Sequence, residues 1–437
     1  MKKILGVLFV LSIIVSCNNS PSQDKYDTFS DWVLQNSQKI ETLEITEKQD
    51  DLKLLKQIVG NAEVVCLGES RHDIHEQFML KHRFIKYLVE EMNFTTFALE
   101  ASLPYSNKIN DYILNGDGNI EEIMSNMPAW FLWDTQEMKN ILNWLYEYNK
   151  GQEAENKVNF YGIDIVAPNN GLEQIFEYLQ DVDNLYFEQI KNENFGRNII
   201  EDNQWQISQQ RYSELPEEEK QILLKNYNAL FEHIKLNKDN FISTSSENKY
   251  DWIFKLSYSA NEANKMFSET DRLKMGLIRE NAMANITFWI KERNKNIILW
   301  SHNLHIAKAE FTMSIMPENK IKGMGYILNQ KFGNSMVSIG ASFNQGGFQN
   351  ENITFEPAKP NTIDGTLAKL NTDYFILNLK GNSENKDIEE WLNKDNSMRV
   401  QGFEMICIPK KSFDAIFFTN TISKVNYNPI TLEKRRN

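Results

Sequence analysis

Glu69 and His72 stand three residues apart in Gly68-Glu69-Ser70-Arg71-His72, and a second imidazole pair, His302 and His305, has the same spacing in Trp300-Ser301-His302-Asn303-Leu304-His305. Imidazole titrates near neutrality and is the usual side chain for drawing a proton from a hydroxyl or a water. A neighbouring carboxylate fixes its tautomer and stabilises the imidazolium that forms. Glu69 and Glu100 are the candidates for that task beside His72. The chemistry this allows is general-base hydrolysis, with His302 or His305 stabilising an oxyanion or protonating a leaving alkoxide.

Other chemistries use the same residue types. His72-x-x-His75-Glu76 has neither the His-Glu-x-x-His nor the His-x-x-Glu-His order of zinc proteases, though i, i+3 histidines can share one ion. The reading is a site with no cofactor, and a divalent metal stays open. Ser70 and Ser301 lack the flanking glycines of a nucleophile elbow, which disfavours a serine nucleophile without removing Ser301 beside His302. No phosphate-binding loop or dinucleotide fingerprint occurs.

The residues gain meaning from the elements that carry them. Val64–Leu67, Thr95–Leu99, Val158–Ile163 and Asn296–Trp300 are apolar runs of β type, and each ends at or just before Glu, Asp or His. Between the first two, Phe78, Phe84, Ile85, Leu88 and Val89 recur at helical spacing over Glu76–Met92, giving strand, helix, strand and therefore parallel pairing. Carboxyl ends of parallel strands share one sheet edge, where ligands bind. Glu69, His72, Glu100, Asp164, His302 and His305 should thus meet although scattered over more than two hundred residues. Ser335–Ala341, Asp373–Leu379, Glu404–Ile408 and Ala415–Thr419 are later strands, some antiparallel, while Asn344–Asn352 and Glu356–Asp364 are loop-like. Residues 171–274 carry apolar positions at helical spacing and form an inserted helical bundle. The expected fold is α/β: a central, mostly parallel sheet flanked by helices, the bundle lying beside the active-site cleft.

If the helical phase starts at His72, then Glu76, Met79 and Arg83 share its face and Arg83 would stabilise an anion at the site, with Lys81 a rival on the adjacent face. Pro128-Ala129-Trp130-Phe131-Leu132-Trp133 is strongly aromatic, and suits either core packing or the wall of a pocket for a bulky ligand. Lys81, Arg83, Trp130, Trp133 and Asp164 are accordingly the candidate substrate contacts.

Composition bounds the partners. The chain has 437 residues, 41% hydrophobic and 24% charged, and a net charge of −13, which fits a globular protein and disfavours a nucleic-acid partner. Lys2 and Lys3 precede an apolar run, Ile4–Val15, too short to span a bilayer, and the run closes at Ile14-Val15-Ser16-Cys17. This pattern is similar to a bacterial lipobox, so residues 1–16 read as a signal peptide, Cys17 as the lipidation site and membrane anchor, and residues 17–45 as a tether and N-terminal segment before a catalytic domain over 46–430. The expected location is the bacterial cell envelope. Cys66 and Cys407 sit in apolar strands and read as core residues.

Taken together, several blocks resemble the erythromycin esterase family: Leu67-Gly68-Glu69-Ser70-Arg71-His72 with Glu76, Phe97-Ala98-Leu99-Glu100, Trp130 to Glu137, Trp144-Leu145, Tyr148-Asn149, Phe160 to Asp164, Arg279 to Asn285, Trp300 to His305, and Gly323-Met324-Gly325. They span about 60 to 345. The resemblance implies a sheet flanked by helices, a deep cleft, and hydrolysis of a carboxylic ester or, in members acting on macrolides, a macrocyclic lactone. It implies His72 as the base that activates water, with Glu69, Glu100, His302 and His305 completing the site. Asp73 replaces the glycine common after the first histidine, Arg279-Glu280 stands for an Arg-Asp, and Lys81 holds the basic position nine residues past His72. Two further readings remain: an envelope binding lipoprotein without turnover, and a hydrolase of acylated envelope glycans.

Overall fold

A computed structural model describes residues 23–45, 48–127, 132–200, 205–348 and 352–429. Apolar runs with no polar alternation need cover on both faces, and the strands here receive it. In chain order they are β1 (Ser37–Lys39), β2 (Val64–Leu67), β3 (Thr96–Ser102), β4 (Asn159–Asp164), β5 (Ile297–Trp300), β6 (Phe311–Met313), β7 (Met316–Ile321), β8 (Met336–Phe348), β9 (Ile353–Phe355), β10 (Tyr374–Asn378), β11 (Asn396–Val400), β12 (Phe403–Cys407) and β13 (Ala415–Ile422). The central sheet runs β1-β10-β13-β8-β2-β5-β3-β4, with β9 on β8. From β13 to β4 every pairing is parallel, while β1, β9 and β10 join antiparallel. This is the mostly parallel, helix-flanked α/β architecture expected from the strand–helix–strand pattern.

Alternate strand residues divide between two cores. Val64, Cys66, Ala98, Ile297 and Leu299 belong to one, with the inserted helices. Val65, Leu67, Phe97, Leu99, Ile298 and Trp300 belong to the other, beneath the helices His75–Met92 and Gln136–Lys150. Cys66 and Cys407 are buried and free, in the core roles their strands suggested. Among the described residues the insertion comprises seven helices from Asn169–Val182 to Arg272–Arg293, longer at both ends than the 171–274 expected, and its last helix returns the chain to β5.

Three departures from the sequence reading have simple causes. β8 continues to Phe348, through what looked like a Gly- and Asn-rich loop, because its last three residues pair with β9. The strand around Glu404 leaves the central sheet for a second, four-stranded antiparallel one, β11-β12-β6-β7. Ser37–Lys39, in the N-terminal segment and unannounced by any apolar run, forms the edge strand paired with β10. Cys17 and Trp130 fall outside the described residues. Among the described residues no helix is long and apolar enough to cross a membrane.

Candidate active site

The four strands that end in chemistry are neighbours, in the order β2-β5-β3-β4, and their ends are level: Leu67 and Leu99 both pair with Trp300. Between Leu99 and Ser102 the register of β3 against β4 shifts by one residue, a bulge that brackets Glu100. Gly162 makes room for it, since a Cβ there would lie 2.5 Å from the Ser102 carbonyl oxygen. Gly68 is required for a similar reason: a Cβ would come within 2.2 Å of Asn303 Oδ1, which braces the chain by accepting from Ala341 N at 3.0 Å.

Glu69 is fully buried at the end of β2. Its Oε1 is 2.6 Å from His72 Nδ1, and its Oε2 accepts from Lys81 Nζ at 2.6 Å and from Trp300 Nε1 at 2.7 Å. Burial opposes the charge of this carboxylate, but Lys81 and His72 outweigh it and hold its pKa down at about 2. Burial likewise opposes a charged His72, yet the hydrogen bond and charge of Glu69, aided by Glu100, leave its pKa above the ordinary value. The His72 side chain keeps 17% of its surface exposed. Trp133 packs edge-on against its ring with centroids 5.9 Å apart, and His302 lies at 5.3 Å.

Glu100 joins the two halves of the site. Its Oε2 accepts from Ser301 Oγ at 2.7 Å and from His302 N at 2.8 Å, and its Oε1 meets Arg279 Nη2 at 3.0 Å and His305 Nε2 at 3.2 Å. Burial would raise its pKa, but His305 and Arg279 keep it well below the ordinary carboxylate range. Asp164, at the end of β4, receives Arg279 in bidentate fashion at 3.0 and 2.6 Å.

The two later histidines differ in kind. His302 has Nε2 3.0 Å from the Ser70 carbonyl oxygen and accepts at Nδ1 from Leu304 N at 3.3 Å, so both ring nitrogens are occupied in the neutral form. Burial and the neighbouring His72 push its pKa down to about 3. His305 lies between two carboxylates, with Nδ1 2.6 Å from Glu280 Oε1 and Nε2 facing Glu100. Burial opposes its charge, but those two carboxylates lift its pKa to about 10 and favour the imidazolium, with Arg279 Nη1 3.3 Å from the same Nε2. One histidine is a structural strut, the other a fixed cation.

Glu69, His72, Glu100, Asp164, His302 and His305 therefore meet at one sheet edge, as their strand ends implied. Lys81 reaches the site from below: it is fully buried, pairs with Glu69 and stacks 3.6 Å over the Trp300 ring, so it supports Glu69 and does not face a substrate. Burial lowers its pKa to about 8 despite Glu69. Arg83 is a correction. Its guanidinium is clamped by Asp51 at 2.7 Å and donates to the Thr42 carbonyl oxygen, away from the site. The helix begins at His75, not His72, so helical phase cannot be counted through the intervening turn. Trp133 is 1% exposed and donates to the Glu100 carbonyl oxygen, so it backs His72 instead of lining an open wall.

Asp73, which stands where the family resemblance has a glycine, pairs with Arg71 at 2.9 Å. Ser301 spends its hydroxyl on Glu100 and has no imidazole acceptor, which leaves it unsuited to attack a carbonyl. His75 does not join His72: it pairs with Glu137 at 2.6 Å, where the C-terminal segment is sewn on. There Ser423 donates through N and Oγ to Glu76 at 2.7 and 2.6 Å, Val425 N donates to the Asp73 carbonyl oxygen, and Asn426 donates to Glu137. Among the described residues no group of three or more His, Cys, Asp or Glu is disposed to hold a metal. Sequence reasoning undervalued Arg279 and Glu280, which sit mid-helix with no strand end to flag them. The signal available was an arginine and a glutamate, adjacent in one of the blocks that carry the family resemblance.

The erythromycin esterase family model matches residues 89–422. Erythromycin esterase type II of Escherichia coli is 24% identical over 91% of this chain and 99% of its own. A protein of Bacillus cereus with a solved crystal structure superposes with a TM-score of 0.80 at 24% identity, covering 92% of this chain and 99% of that one. An erythromycin esterase mutant solved in its open conformation superposes with a TM-score of 0.69 at 17% identity, covering 90% and 99%. Because the family model matches most of the chain, the chain belongs to the erythromycin esterase family and is a hydrolase of that family.

Proposed function

We propose that the protein hydrolyses a carboxylic ester, a macrolide-type lactone being the first class to test, through water activated by His72. The observation that carries this reading is the Glu69–His72 contact of 2.6 Å at Nδ1, with Nε2 of a partly exposed ring left to face solvent. Glu69 fixes the tautomer and steadies the imidazolium once Nε2 takes a proton from water. The hydroxide formed attacks the ester carbonyl carbon, the carbonyl oxygen becomes the oxyanion, and the C–O bond to the alcohol breaks. The proton on His72 then passes to the departing alkoxide. His302 is neutral and doubly hydrogen-bonded, so it is set aside as acid. Arg279, 26% exposed in its side chain and backed by Glu100 and Asp164, supplies the positive field for the oxyanion, with the His305 imidazolium behind it. The cycle runs without a cofactor.

Mass-spectrometric screening of the purified chain against esters and lactones, in parallel with His72→Ala, tests this. Equal turnover by both proteins would remove His72 from the mechanism. We also propose that cleavage before Cys17 leaves a lipid-bearing cysteine that holds the enzyme at the bacterial cell envelope, on the strength of Lys2, Lys3, the apolar run and Ser16-Cys17. Metabolic labelling with a fatty-acid analogue should mark the wild type and not Cys17→Ala, and label in both would end that reading.

A further inference from the structure

The helix Arg272–Arg293 presents Glu280 to the catalytic site, but a second face of it does something else. Asn285, Trp289, Glu292 and Arg293 fall at offsets 0, 4, 7 and 8 and share a stripe. That stripe lines a cavity of about 410 Å³ together with Lys235, Lys238, Lys255, Phe254 and Lys331. The cavity shares no lining residue with the His72 site.

Its charge is unusual for a chain whose net charge is −13. Five basic side chains line it against two carboxylates, Asp251 and Glu292. Both carboxylates are taken: Asp251 by Arg293, whose Nε donates at 3.0 Å, and Glu292 by Lys331 at 3.6 Å. Lys235 leans on Glu232 at 3.1 Å. Among the described residues Lys255 makes no ion pair with a carboxylate, although Glu292 and Asp251 lie near enough to favour its charge. It is 5% exposed, and its ammonium donates to the neutral amide oxygen of Asn285 at 2.9 Å. The rings of Tyr258 and Trp289 stand 4.8 and 5.8 Å from Nζ. Burial and the nearby Arg293 push its pKa down to about 8 against the pull of Glu292 and Asp251. Lys238 stands exposed at the mouth.

A buried ammonium held by one amide oxygen, a second lysine at the rim and aromatic walls form a cradle that is electrostatically incomplete. We propose that this cavity binds the phosphate of a ligand with an apolar or aromatic body, Lys255 and Lys238 taking the phosphate oxygens and Trp289 and Phe254 flanking the body. Several separated ammonium groups suit a tetrahedral oxyanion of charge near −2 better than a carboxylate, and the aromatic faces favour an organic phosphate over the bare ion. The phosphate can come from a soluble metabolite or from a lipid headgroup.

Calorimetric titration of the purified chain with phenyl phosphate should give saturable binding, at least tenfold tighter than with inorganic phosphate. Lys255→Met, which keeps the length of the side chain, should weaken it at least tenfold and leave ester hydrolysis unchanged. Lys238→Glu, at an exposed position, should weaken it as well and keeps the test readable if the buried variant folds poorly. Sedimentation with phosphatidylglycerol vesicles but not phosphatidylcholine vesicles, abolished by Lys238→Glu, assigns the lipid source. Phenyl phosphate binding with no difference between the vesicles assigns a soluble one. Absence of saturable binding to phenyl phosphate together with absence of vesicle binding, or binding indifferent to both substitutions, would overturn the proposal.

Discussion

Glu69 Oε1 lies 2.6 Å from His72 Nδ1, and among the described residues the opposite ring nitrogen of His72 has no hydrogen-bond partner. One imidazole nitrogen is thus committed to the protein and the other is available to water, the arrangement a general base requires.

Replacing His72 by Ala should lower kcat by about 10²–10⁴-fold, the range expected for loss of a positioned base. Thermal stability should fall far less than activity, because Lys81 and Trp300 still hold the buried Glu69 carboxylate. Turnover within a few-fold of wild type would eliminate it as the base.

The base must be neutral to act. Since Glu69 raises the His72 pKa, the acid limb of kcat/KM should lie above the ordinary imidazole value of about 6.5. Glu69→Gln removes the charge that raises it, so the limb should move to lower pH while the maximal rate falls. A limb that stays in place would show that another group sets it.

Lys81 and Arg83 separate support from surface. Lys81→Met leaves Glu69 without its main cation in a dry site and should cost about 3–5 kcal/mol in denaturant unfolding, with activity lost alongside. Arg83→Ala also breaks a buried pair, with Asp51, and should lower stability, yet leave kcat and KM unchanged at temperatures where the protein is folded. A selective loss of kcat in Arg83→Ala would return that residue to the site.

Stability should depend on pH in two opposite directions. The lowered pKa of Glu69 contributes stability that is complete above about 4.5 and disappears as pH falls to about 2. The raised pKa of His305 contributes stability that is complete below about 6.5 and disappears as pH rises to about 10. Both are fully present between about 4.5 and 6.5, and the lowered pKa of His302 adds stability that grows as pH rises to about 6.5, so the melting temperature should be highest near the upper end of that window. His305→Gln should flatten the alkaline side and leave the acid side intact.

Much of this geometry was legible because strands announce themselves. Val64–Leu67 is a strand with those same ends, and Glu100, Asp164 and His302 follow from asking what stands at the end of each apolar run. What escaped was written in contacts between distant segments. The helical phase of His75–Met92 cannot be extended back through a turn, so Arg83 was placed on the wrong side. The roles of the later histidines depend on their partners: His305 has two carboxylates and His302 a carbonyl oxygen and an amide N–H, and nothing in their i, i+3 spacing foretells the difference. The edge strand Ser37–Lys39 carries no apolar run at all and exists because β10 offers it a partner.

The short stretch Ser423–Asn428, beyond the last strand, carries a practical warning. It is the latch that fastens Glu76, Glu137 and the Asp73 carbonyl oxygen, and so steadies the loop bearing the proton acceptor. A recombinant form trimmed after Ile422 would keep every strand of its scaffold and still misalign its chemistry. Affinity tags fused at the carboxyl end, or nicking there by a protease, would then read as an inactive enzyme in an intact fold.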